Sequence, residues 1–258
     1  MDQSMKDCKI TLILPAYNEA KRIRSTVQQA LAYFDARGLP CEIIVPADGD
    51  DGTREIVREM GSHRAGLTAI GSVARGGKGR GIREAVALAH GEIIGFADAD
   101  NKVPIEDYAK IEPALAAGID VVIGSRALPD SLIEKKQPLH RQWGGQAFGV
   151  WMRAITGLPV RDTQCGFKFF PAPVARDLFS HQRIDGYMFD VEILYIARKL
   201  GYSIREVPVR WRDDGDSRLD LVSGNLKNFR DVLRIRKMHS QLTEQVRAER
   251  SRIEVAKR

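Results

Sequence analysis

Two carboxylates end a strongly apolar stretch of this 258-residue chain. Asp98 and Asp100 close the segment "EIIGFADAD", with one alanine between them. Side chains two residues apart on an extended chain point to the same side, where two carboxylates repel each other unless a cation lies between them. Mg²⁺ and Mn²⁺ favour carboxylate oxygens together with the phosphate oxygens of a substrate. The pair indicates a divalent ion that joins the protein to a pyrophosphate, and the alternative is a solvated turn at the end of a strand.

Three other polar segments could bind the rest of such a ligand. Asp48 opens "DGDDGT" and can accept hydrogen bonds from a base or a ribose, unless the segment is only a turn and a helix N-cap formed by Asp51 or Thr53. Glu19 follows "LPAYN" and is either a carboxylate favoured by a helix N-terminus or a ligand for sugar hydroxyls. The glycines of "ARGGKGRG" and the charge of Lys78 favour an anion at the start of a helix, and the alternative is a flexible basic loop.

Two arginines suit a second phosphate. Arg126 follows the apolar run "VVIGS", and Arg141 stands in the basic loop "EKKQPLHRQW". Taken alone, both would be interpreted as solvated surface residues. Asp190 and Glu192 are first-turn charges of a later helix, and Asp190 is a candidate to face the site. The sequence shows no Ser-His-Asp or Cys-His arrangement, so nucleophilic catalysis by the protein has no candidate.

Alternating strands and helices position these residues at one edge of a sheet. The runs "KITLIL", "CEIIV", "TAIGSV", "EIIGFAD" and "DVVIGS" predict strands, because they are short and apolar and are bounded by turn residues. Three segments with apolar residues at three- and four-residue spacing predict helices that end near Gly38, Gly61 and Gly91. This order predicts an α/β fold with a doubly wound, mostly parallel sheet, and ligands at the carboxyl ends of its strands.

The composition is that of a globular chain with a basic excess. The formal net charge is +6 and the pI is near 9.3, which favours polyanionic partners. No nucleic-acid-binding module is recognisable, so we expect no nucleic-acid partner. Three widely spaced cysteines fit a reducing compartment. The first residues lack a signal-peptide pattern and no apolar run is long enough to cross a bilayer, so we expect a cytoplasmic protein.

Much of the positive charge lies near the C-terminus. Residues 216–258 predict a basic amphipathic helical tail, with apolar residues at helical spacing from Leu226 to Val246 and arginines among them. One interpretation is a helix that lies on an anionic membrane. The other is a helix that packs on its own domain or on a second subunit.

Several motifs of the chain follow one another in one order. They are "ILPAYNEAKRI", "RGGKGRGIREAVALAHGEIIGFADADN", "VVIGSRA" and "VRDTQCGFKFF". As a set they resemble the family 2 glycosyltransferases, and "FDVEILYIARKLGYSIREVPVRW" adds a resemblance to the branch that acts on dolichyl or polyprenyl phosphate. The resemblance spans Lys9–Trp211. It implies a GT-A catalytic domain over residues 1–215, with helices on both faces of the sheet, a nucleotide-sugar half (1–125) and an acceptor half (126–215), followed by the tail (216–258).

The resemblance also implies a role for each matching residue. Asp98 and Asp100 would hold Mg²⁺ or Mn²⁺ on the pyrophosphate, Lys78 would lie near the ribose or diphosphate, and Arg126 and Arg141 would meet the acceptor phosphate. The implied nucleotide-sugar set is Pro15, Tyr17, Glu19, Asp48, Lys78, Asp98, Ala99 and Asp100. The implied acceptor-side set is Arg126, Arg141, Thr163, Gln164, Gly166, Phe167 and Lys168.

The activity implied is an inverting, metal-dependent transfer of a hexose to a polyprenyl or dolichyl phosphate, with glucose from UDP-glucose favoured. The alternatives are a GDP-mannose-dependent polyprenyl-phosphate mannosyltransferase and a family 2 enzyme with a soluble acceptor. Peripheral membrane contact through the tail and an oligomeric state both stay open.

Two residues depart from the family pattern. Ala47 replaces an aspartate of the second turn, and Lys102 stands where the mannosyl synthases often have a polar metal-site residue, so the metal would rest on two carboxylates.

Overall fold

The computed structural model describes residues 7–134, 139–212 and 223–243. The strands in these ranges are β1 (Ile10–Ile13), β2 (Ala16–Tyr17), β3 (Cys41–Asp48), β4 (Leu67–Ile70), β5 (Ile93–Ala97), β6 (Val121–Ser125), β7 (Leu132–Ile133), β8 (Phe167–Pro171), β9 (Ile204–Pro208) and β10 (Arg210–Trp211). The α-helices are α1 (Ile23–Ala36), α2 (Thr53–Ser62), α3 (Lys78–Leu88), α4 (Tyr108–Ala116), α5 (Leu139–Thr156), α6 (Ala172–His181), α7 (Phe189–Leu200) and α8 (Ser223–Met238).

One mostly parallel sheet organises the chain. Its strands lie in the order β4-β3-β1-β5-β8-β6-β9, and β2 pairs with the end of β3. Within it β8 runs antiparallel to both of its neighbours, β5 and β6. The chain moves from β1 outward to β3 and β4, and then returns to β5 on the other side of β1. Such a reversal leaves a crevice at the carboxyl ends of the two central strands, which is where α/β sheets bind ligands.

Helices cover both faces of this sheet, as the predicted fold requires. Successive residues of β1 face opposite sides. Leu12 belongs to a core that it shares with α1, α2 and α4, whereas Ile13 belongs to a second core that includes residues of α3, α6 and α7. Both side chains are fully buried. The sheet is therefore the middle layer of a three-layer structure, and the predicted α/β architecture is confirmed.

Two glycines expected to end helices have another role. Helix α2 continues through Gly61, where an added Cβ would lie 2.6 Å from the carbonyl oxygen of Leu67. Helix α3 ends at Leu88, before Gly91, where a Cβ would lie 2.4 Å from the backbone nitrogen of Thr11. In both places a neighbouring strand comes so close that a side chain would collide with its backbone. These glycines permit close packing rather than helix termination.

The described part of the C-terminal tail packs on the domain. Val232 and Ile235 of α8 are fully buried in the core that contains α5 and α7. Phe229 meets the ring of Trp151 with the centroids 4.4 Å apart. Beyond the end of α8, His239 places its Nε2 2.8 Å from the buried carboxylate of Glu192. This is the packed arrangement that the sequence left as one of two interpretations.

The outward side of α8 combines positive charge with apolar surface. Leu233 and Met238 are exposed to 51% and 36%. The exposed basic residues of this side are Arg230, Arg234, Arg236 and Lys237. Val246 and the side chain of Leu226, which the tail prediction also used, lie outside the described residues. None of the helices described by the structure is long and apolar enough to cross a membrane.

Candidate active site

A cleft of about 410 Å³ opens at the carboxyl ends of the central strands. Residues from both predicted halves of the chain line it, although they are far apart in sequence. The predicted site residues among them are Pro15, Tyr17, Glu19, Asp48, Lys78, Asp98, Ala99, Asp100, Arg126 and Gln164. The other residues that line the cleft are Ala16, Arg22, Pro46, Gly71, Ser72, Arg75, Gly77, Arg80, Gly81, Glu84, Lys102, Tyr187, Asp190 and Trp211. The parallel sheet therefore gathers most of the predicted set in one place.

A tight turn after β5 aims the acidic pair into the cleft. The backbone N–H of Asp98 donates to the carbonyl of Gly166 at 3.0 Å. Ala99 is 2% exposed, and its carbonyl accepts a hydrogen bond from the hydroxyl of Thr26 at 2.9 Å. Because Ala99 turns into the core, Asp98 and Asp100 on either side of it face the cleft. The alanine between the carboxylates is thus a packing residue that fixes their direction.

Each carboxylate of the pair is matched by its own lysine. The Nζ of Lys78 lies 2.6 Å from Oδ1 of Asp98 and 3.8 Å from Oδ2 of Asp190. The Nζ of Lys102 lies 3.2 Å from Oδ2 of Asp100. The Asp98 side chain is 42% exposed, whereas both lysines are only 15% exposed. Asp190, which the sequence gave as a candidate for this site, faces it from the start of α7.

Burial and neighbouring charges both shift the pKa values of Asp100 and Lys78. Burial raises the pKa of Asp100, and the negative charge of Asp98 raises it further, against the opposing effect of Lys102. For Lys78, burial lowers the pKa, but the carboxylates of Asp98 and Asp190 outweigh burial and the net pKa is raised. Lys78 therefore stays an ammonium at neutral pH, whereas burial and the charge of Asp98 disfavour the ionised form of Asp100. An additional cation would stabilise the ionised form of Asp100.

The donor set of this turn fits a divalent ion that shares its shell with a substrate. Within the described ranges, no group of three or more His, Cys, Asp or Glu residues could hold a metal. Asp98 and Asp100 would therefore supply two carboxylates, and water and phosphate oxygens would supply the rest. Mg²⁺ is commonly held in this way, by one or two carboxylates and substrate phosphates. The raised pKa of Asp100 points the same way, because burial and the charge of Asp98 disfavour its ionised form more than Lys102 favours it, and a bound cation would offset this.

Asp48 lines the cleft and holds its neighbouring loop. Its Oδ2 accepts the backbone N–H of Gly76 at 2.7 Å, and its Oδ1 accepts that of Ser72 at 3.2 Å. Asp51 serves the start of α2, because its Oδ1 accepts the backbone N–H of Thr53 at 3.1 Å. The predicted N-cap by Asp51 or Thr53 is wrong, because Gly52 is the N-cap of α2 and no side chain caps it. The carboxylate of Asp48 is engaged with the glycine-rich loop.

An arginine of this loop spans the cleft. The guanidinium of Arg75 lies over the ring of Tyr17, 4.2 Å from its centroid. The same group donates to the hydroxyl of Tyr187 at 3.1 Å. Arg75 therefore connects the first strand region with the segment before α7. Its position in "ARGGKGRG" was the available signal, but spacing alone does not show which of the basic residues in that loop turns inward.

The start of α3 differs from the expected phosphate cradle. The backbone N–H groups of Gly79 and Arg80 donate to the carbonyl of Asp185 at 2.8 and 3.3 Å. Gly77 has φ +106°, and a Cβ there would lie 2.3 Å from the same carbonyl oxygen. These helix N–H groups are therefore engaged by the protein itself. What α3 contributes to the cleft is Lys78, together with Arg80, Gly81 and Glu84 further along the helix.

Arg126 is held by a partner that the sequence analysis did not name. Its Nε and Nη2 donate to the two oxygens of Asp162 at 2.7 and 2.9 Å, and its backbone N–H donates to the same carboxylate. Burial alone would raise the pKa of Asp162, but the Arg126 charge outweighs burial and lowers it to about 2. The guanidinium lies 5.6 Å from the ring centroid of Trp211. Arg126 is therefore a fixed, partly neutralised cation at the edge of the cleft.

The other acceptor-side residues lie mostly behind the cleft. Gln164 lines it. Thr163 and Phe167 are buried, the latter inside the sheet. Lys168 is fully buried, donates to the carbonyl of Cys165 at 2.7 Å and forms a short ion pair with Asp190. That these residues shape the acceptor side stays a prediction, because β8 runs between β5 and β6 and turns these side chains into the protein.

Two further members of that set need separate comment. Gly166 leaves room for the acidic pair, because a Cβ there would lie 2.2 Å from Oδ2 of Asp98. Arg141 belongs to α5, which begins at Leu139, so the predicted basic loop is helical at that point. The Arg141 side chain lies outside the described residues.

Comparisons with known proteins show which family and fold this chain has. The glycosyl transferase family 2 model matches residues 11–178. A dolichyl-phosphate beta-glucosyltransferase of Trichomonas vaginalis is 31% identical over 236 residues, which cover 87% of this chain and 70% of the relative. Among solved structures, mannosyl-3-phosphoglycerate synthase from Rubrobacter xylanophilus superposes with a TM-score of 0.68 at 18% identity, covering 91% of this chain and 75% of that one. A mannosyltransferase from Pyrobaculum calidifontis, solved with GDP-Man and Mn²⁺, has a TM-score of 0.52 at 20% identity, with 81% and 58% covered.

Proposed function

Because this chain belongs to glycosyl transferase family 2 and is a glycosyltransferase, we propose that it transfers glucose from UDP-glucose to a dolichyl or polyprenyl phosphate. Relatives that are described as dolichyl-phosphate beta-glucosyltransferases, and that match most of this chain, support a lipid phosphate as the acceptor. One observation of the structure carries the proposal. The acidic pair Asp98 and Asp100 shares one cleft with Lys78 and Arg126, so the cleft offers positive charge for two phosphate groups.

The nature of the acceptor explains why the cleft needs no general base. A phosphate monoester has a second pKa near 6 and is largely a dianion at neutral pH. Its oxygen forms a bond to the anomeric carbon while the bond from that carbon to the diphosphate oxygen breaks, and the electron pair leaves with the nucleoside diphosphate. No proton has to move in this step. Attack from the side opposite the leaving group inverts the anomeric configuration.

Four side chains of the cleft have direct roles in this scheme. A divalent ion held by Asp98 and Asp100 would offset the charge that develops on the leaving diphosphate. Lys78, already an ammonium between two carboxylates, is placed to donate to the same diphosphate. Arg126 meets the incoming phosphate with its exposed third, and Asp162 keeps its guanidinium in place. Placing cations on both sides reduces the repulsion between the two anionic substrates.

The donor nucleotide would lie between the first strand region and the glycine-rich loop. Pro15, Tyr17 and Glu19 line this part of the cleft. Asp48 holds the loop from Ser72 to Gly76 by two backbone hydrogen bonds, so its contribution is to fix the wall against which a ribose packs. Arg75 covers one face of the Tyr17 ring and would have to share or leave it for a stacked base.

A lipid acceptor requires contact with a membrane, and α8 provides a suited surface. Its outward side carries four exposed basic residues and the apolar side chains of Leu233 and Met238. Basic and apolar groups on one helix face favour the interface of an anionic bilayer. We expect wild-type protein to sediment with vesicles that contain anionic lipid. A variant with Arg234→Glu and Lys237→Glu should stay in the supernatant with an unchanged circular dichroism spectrum.

A transfer assay tests the proposed reaction. Radiolabelled UDP-glucose and GDP-mannose are each incubated with dolichyl phosphate, or with a soluble phosphate monoester, in Mg²⁺, Mn²⁺ or EDTA. The proposal predicts label in the organic phase from UDP-glucose with dolichyl phosphate, and none in EDTA. Label from GDP-mannose alone would identify a mannosyltransferase. Label on the soluble acceptor alone would contradict the lipid acceptor, and full transfer in EDTA would contradict the metal dependence.

A further inference from the structure

Lys102 engages both carboxylate oxygens of Asp100. Its ammonium lies 3.2 Å from Oδ2, and its own backbone N–H donates to Oδ1 at 3.3 Å. The turn that permits this is tight, because Asn101 has φ +55° and its N–H donates to the carbonyl of Asp98 at 3.0 Å. The chain therefore returns on itself within two residues, and Lys102 is delivered onto the second carboxylate of the pair.

The backbone of Lys102 is fixed from the other side as well. Its carbonyl accepts the N–H of Arg212 at 3.0 Å, which ties the acidic turn to the segment after β10. The Lys102 side chain is 15% exposed and lines the cleft. A lysine with this little exposure has little solvent to compensate a lost carboxylate. Its four-carbon stem can still rotate, so the ammonium can move between anions that lie within reach.

Charge counting shows what this lysine does to a metal ion. Asp98 and Asp100 carry two negative charges, and Lys78 and Lys102 carry two positive charges in contact with them. The acidic turn is thus neutral before any ion binds. A divalent ion that takes Asp100 displaces an ammonium and adds two positive charges beside it. A diphosphate brings the missing negative charge and offers the displaced ammonium a new anion.

We infer that Lys102 is a positioning residue that makes divalent-ion binding dependent on the donor diphosphate. In the free protein its ammonium competes with the ion for Asp100, so the ion binds weakly. When the diphosphate is present, Lys102 moves from Asp100 onto it, and both ligands bind more tightly together than separately. The inference rests on the proposed function, since it requires the metal and the diphosphate to meet at the acidic pair. A lysine with a purely structural role would change stability without changing this coupling.

Mn²⁺ binding measured without catalysis tests the inference. Isothermal titration gives the Mn²⁺ dissociation constant of wild type, Lys102→Gln, Lys102→Met and Lys102→Arg, each with and without saturating UDP. Met keeps the apolar stem, so it serves if the Gln variant folds poorly. Lys102→Arg keeps the charge, and Lys9→Gln removes one positive charge at an exposed position before β1. Thermal unfolding checks that each variant is folded.

The expected result is a change in coupling, not only in affinity. Without UDP, removal of the Lys102 charge should tighten Mn²⁺ binding by at least about fivefold, and the tightening caused by UDP should shrink by a similar factor. Lys102→Arg and Lys9→Gln should leave the Mn²⁺ dissociation constant, and its change with UDP, within about twofold of wild type. If wild type binds Mn²⁺ with strong UDP dependence and the neutral variants do the same, the inference is overturned and the proposed function stands. If no variant binds Mn²⁺ even with UDP, both the metal assignment and the inference fall.

Discussion

The acidic turn after β5 and the turn before β8 each hold a carboxylate against a basic side chain, yet the pKa values of the two carboxylates move in opposite directions. Asp162 accepts three hydrogen bonds from Arg126 and a fourth from the backbone of Gln164, and its pKa falls to about 2. Burial and the charge of Asp98 raise the pKa of Asp100, although Lys102 contacts it. The protein thus stabilises the ionised form of Asp162 and disfavours that of Asp100.

This difference separates a structural carboxylate from one prepared for a ligand. Asp162 uses its charge to hold Arg126 at the edge of the cleft, so substituting Asp162 should mainly lower the free energy of unfolding. Asp100 has an unfavourable charge in the absence of a ligand, so substituting Asp100 should mainly lower the rate of transfer. The same residue type serves both purposes because the surrounding donors differ, and substitutions at the two positions can be compared directly.

The largest effect is expected for Asp100→Asn. Losing one of two carboxylate ligands should reduce transfer by at least about 100-fold, which corresponds to roughly 3 kcal/mol of transition-state stabilisation. The neutral amide removes the repulsion with Asp98 but leaves Lys102 without its counter-charge. Because these two effects oppose each other, the free energy of unfolding should change by less than about 1 kcal/mol. The readouts are the transfer assay and urea unfolding. Wild-type activity in this variant would contradict the assignment of Asp100.

Asp162→Asn should show the opposite pattern in the same two measurements. It leaves the guanidinium of Arg126, two-thirds covered, without its counter-charge. Leaving a buried charge unpaired is costly, and we expect a loss of about 2–3 kcal/mol in the free energy of unfolding after allowing for the exposed third. A variant as stable as wild type would show that the ion pair contributes nothing to the fold.

Acid sharpens this comparison, because the Asp162 pKa is lowered on folding. A carboxyl with a lowered folded-state pKa contributes stability above its unfolded pKa, near 4, and loses it as the pH falls towards the folded value of about 2. The contribution is of the order of 2 kcal/mol at pH 5. The stability difference between wild type and Asp162→Asn should therefore shrink between pH 5 and pH 2.5 in urea titrations. A difference that stays constant over this range would disprove the linkage.

Gly166→Ala tests how tightly the acidic turn is positioned. The added Cβ would lie 2.2 Å from Oδ2 of Asp98, so the carboxylate must move. A displacement of this kind should reduce transfer by about 10- to 100-fold. Gly149→Ala is the control, since its Cβ would meet only Arg153 at an ordinary 3.5 Å in a helix. Equal activities of the two variants would show that Asp98 tolerates movement.

His239→Leu is expected to have the smallest effect. Glu192 is a third buried carboxylate, and it resembles Asp162 because it accepts the backbone N–H groups of Arg183 and Ile184 as well as the contact from His239. Since two donors remain, the loss should be about 1 kcal/mol. Met238→Ala, at an exposed neighbouring position, should change stability by less than about 0.5 kcal/mol. A loss no larger than that control would show that the histidine does not anchor the tail.

Much of the fold was predictable because local patterns agree with it. The strand leading to Asp98 and the helices α1 to α3 follow from apolar spacing. Helices α4 and α6 were not predicted, and each contains a proline near or within it, such as Pro113. The antiparallel direction of β8 was also missed, since a strand pattern carries no information on direction. Helices α2 and α3 end close to Gly61 and Gly91, as predicted, but contacts with distant backbone and not helix termination require those glycines.

The candidate site was also predictable only in part. Spacing placed Asp98 and Asp100 together, positive charge beside predicted helix and strand ends singled out Lys78 and Arg126, and all four residues line one cleft. The partner of Arg126 could not be predicted from the sequence, because 36 residues separate it from Asp162. Burial of Lys168 was equally hidden, since a lysine is expected at the surface. Long-range charge pairs depend on how strands are ordered in the sheet, and local sequence does not specify that order.

A crystal structure with UDP and Mn²⁺ tests the central claim most directly, with the metal located by its anomalous scattering. The account predicts one manganese peak about 2.1 Å from carboxylate oxygens of both Asp98 and Asp100 and in contact with the diphosphate. A diphosphate bound away from this turn, or a peak that touches neither aspartate, would contradict it.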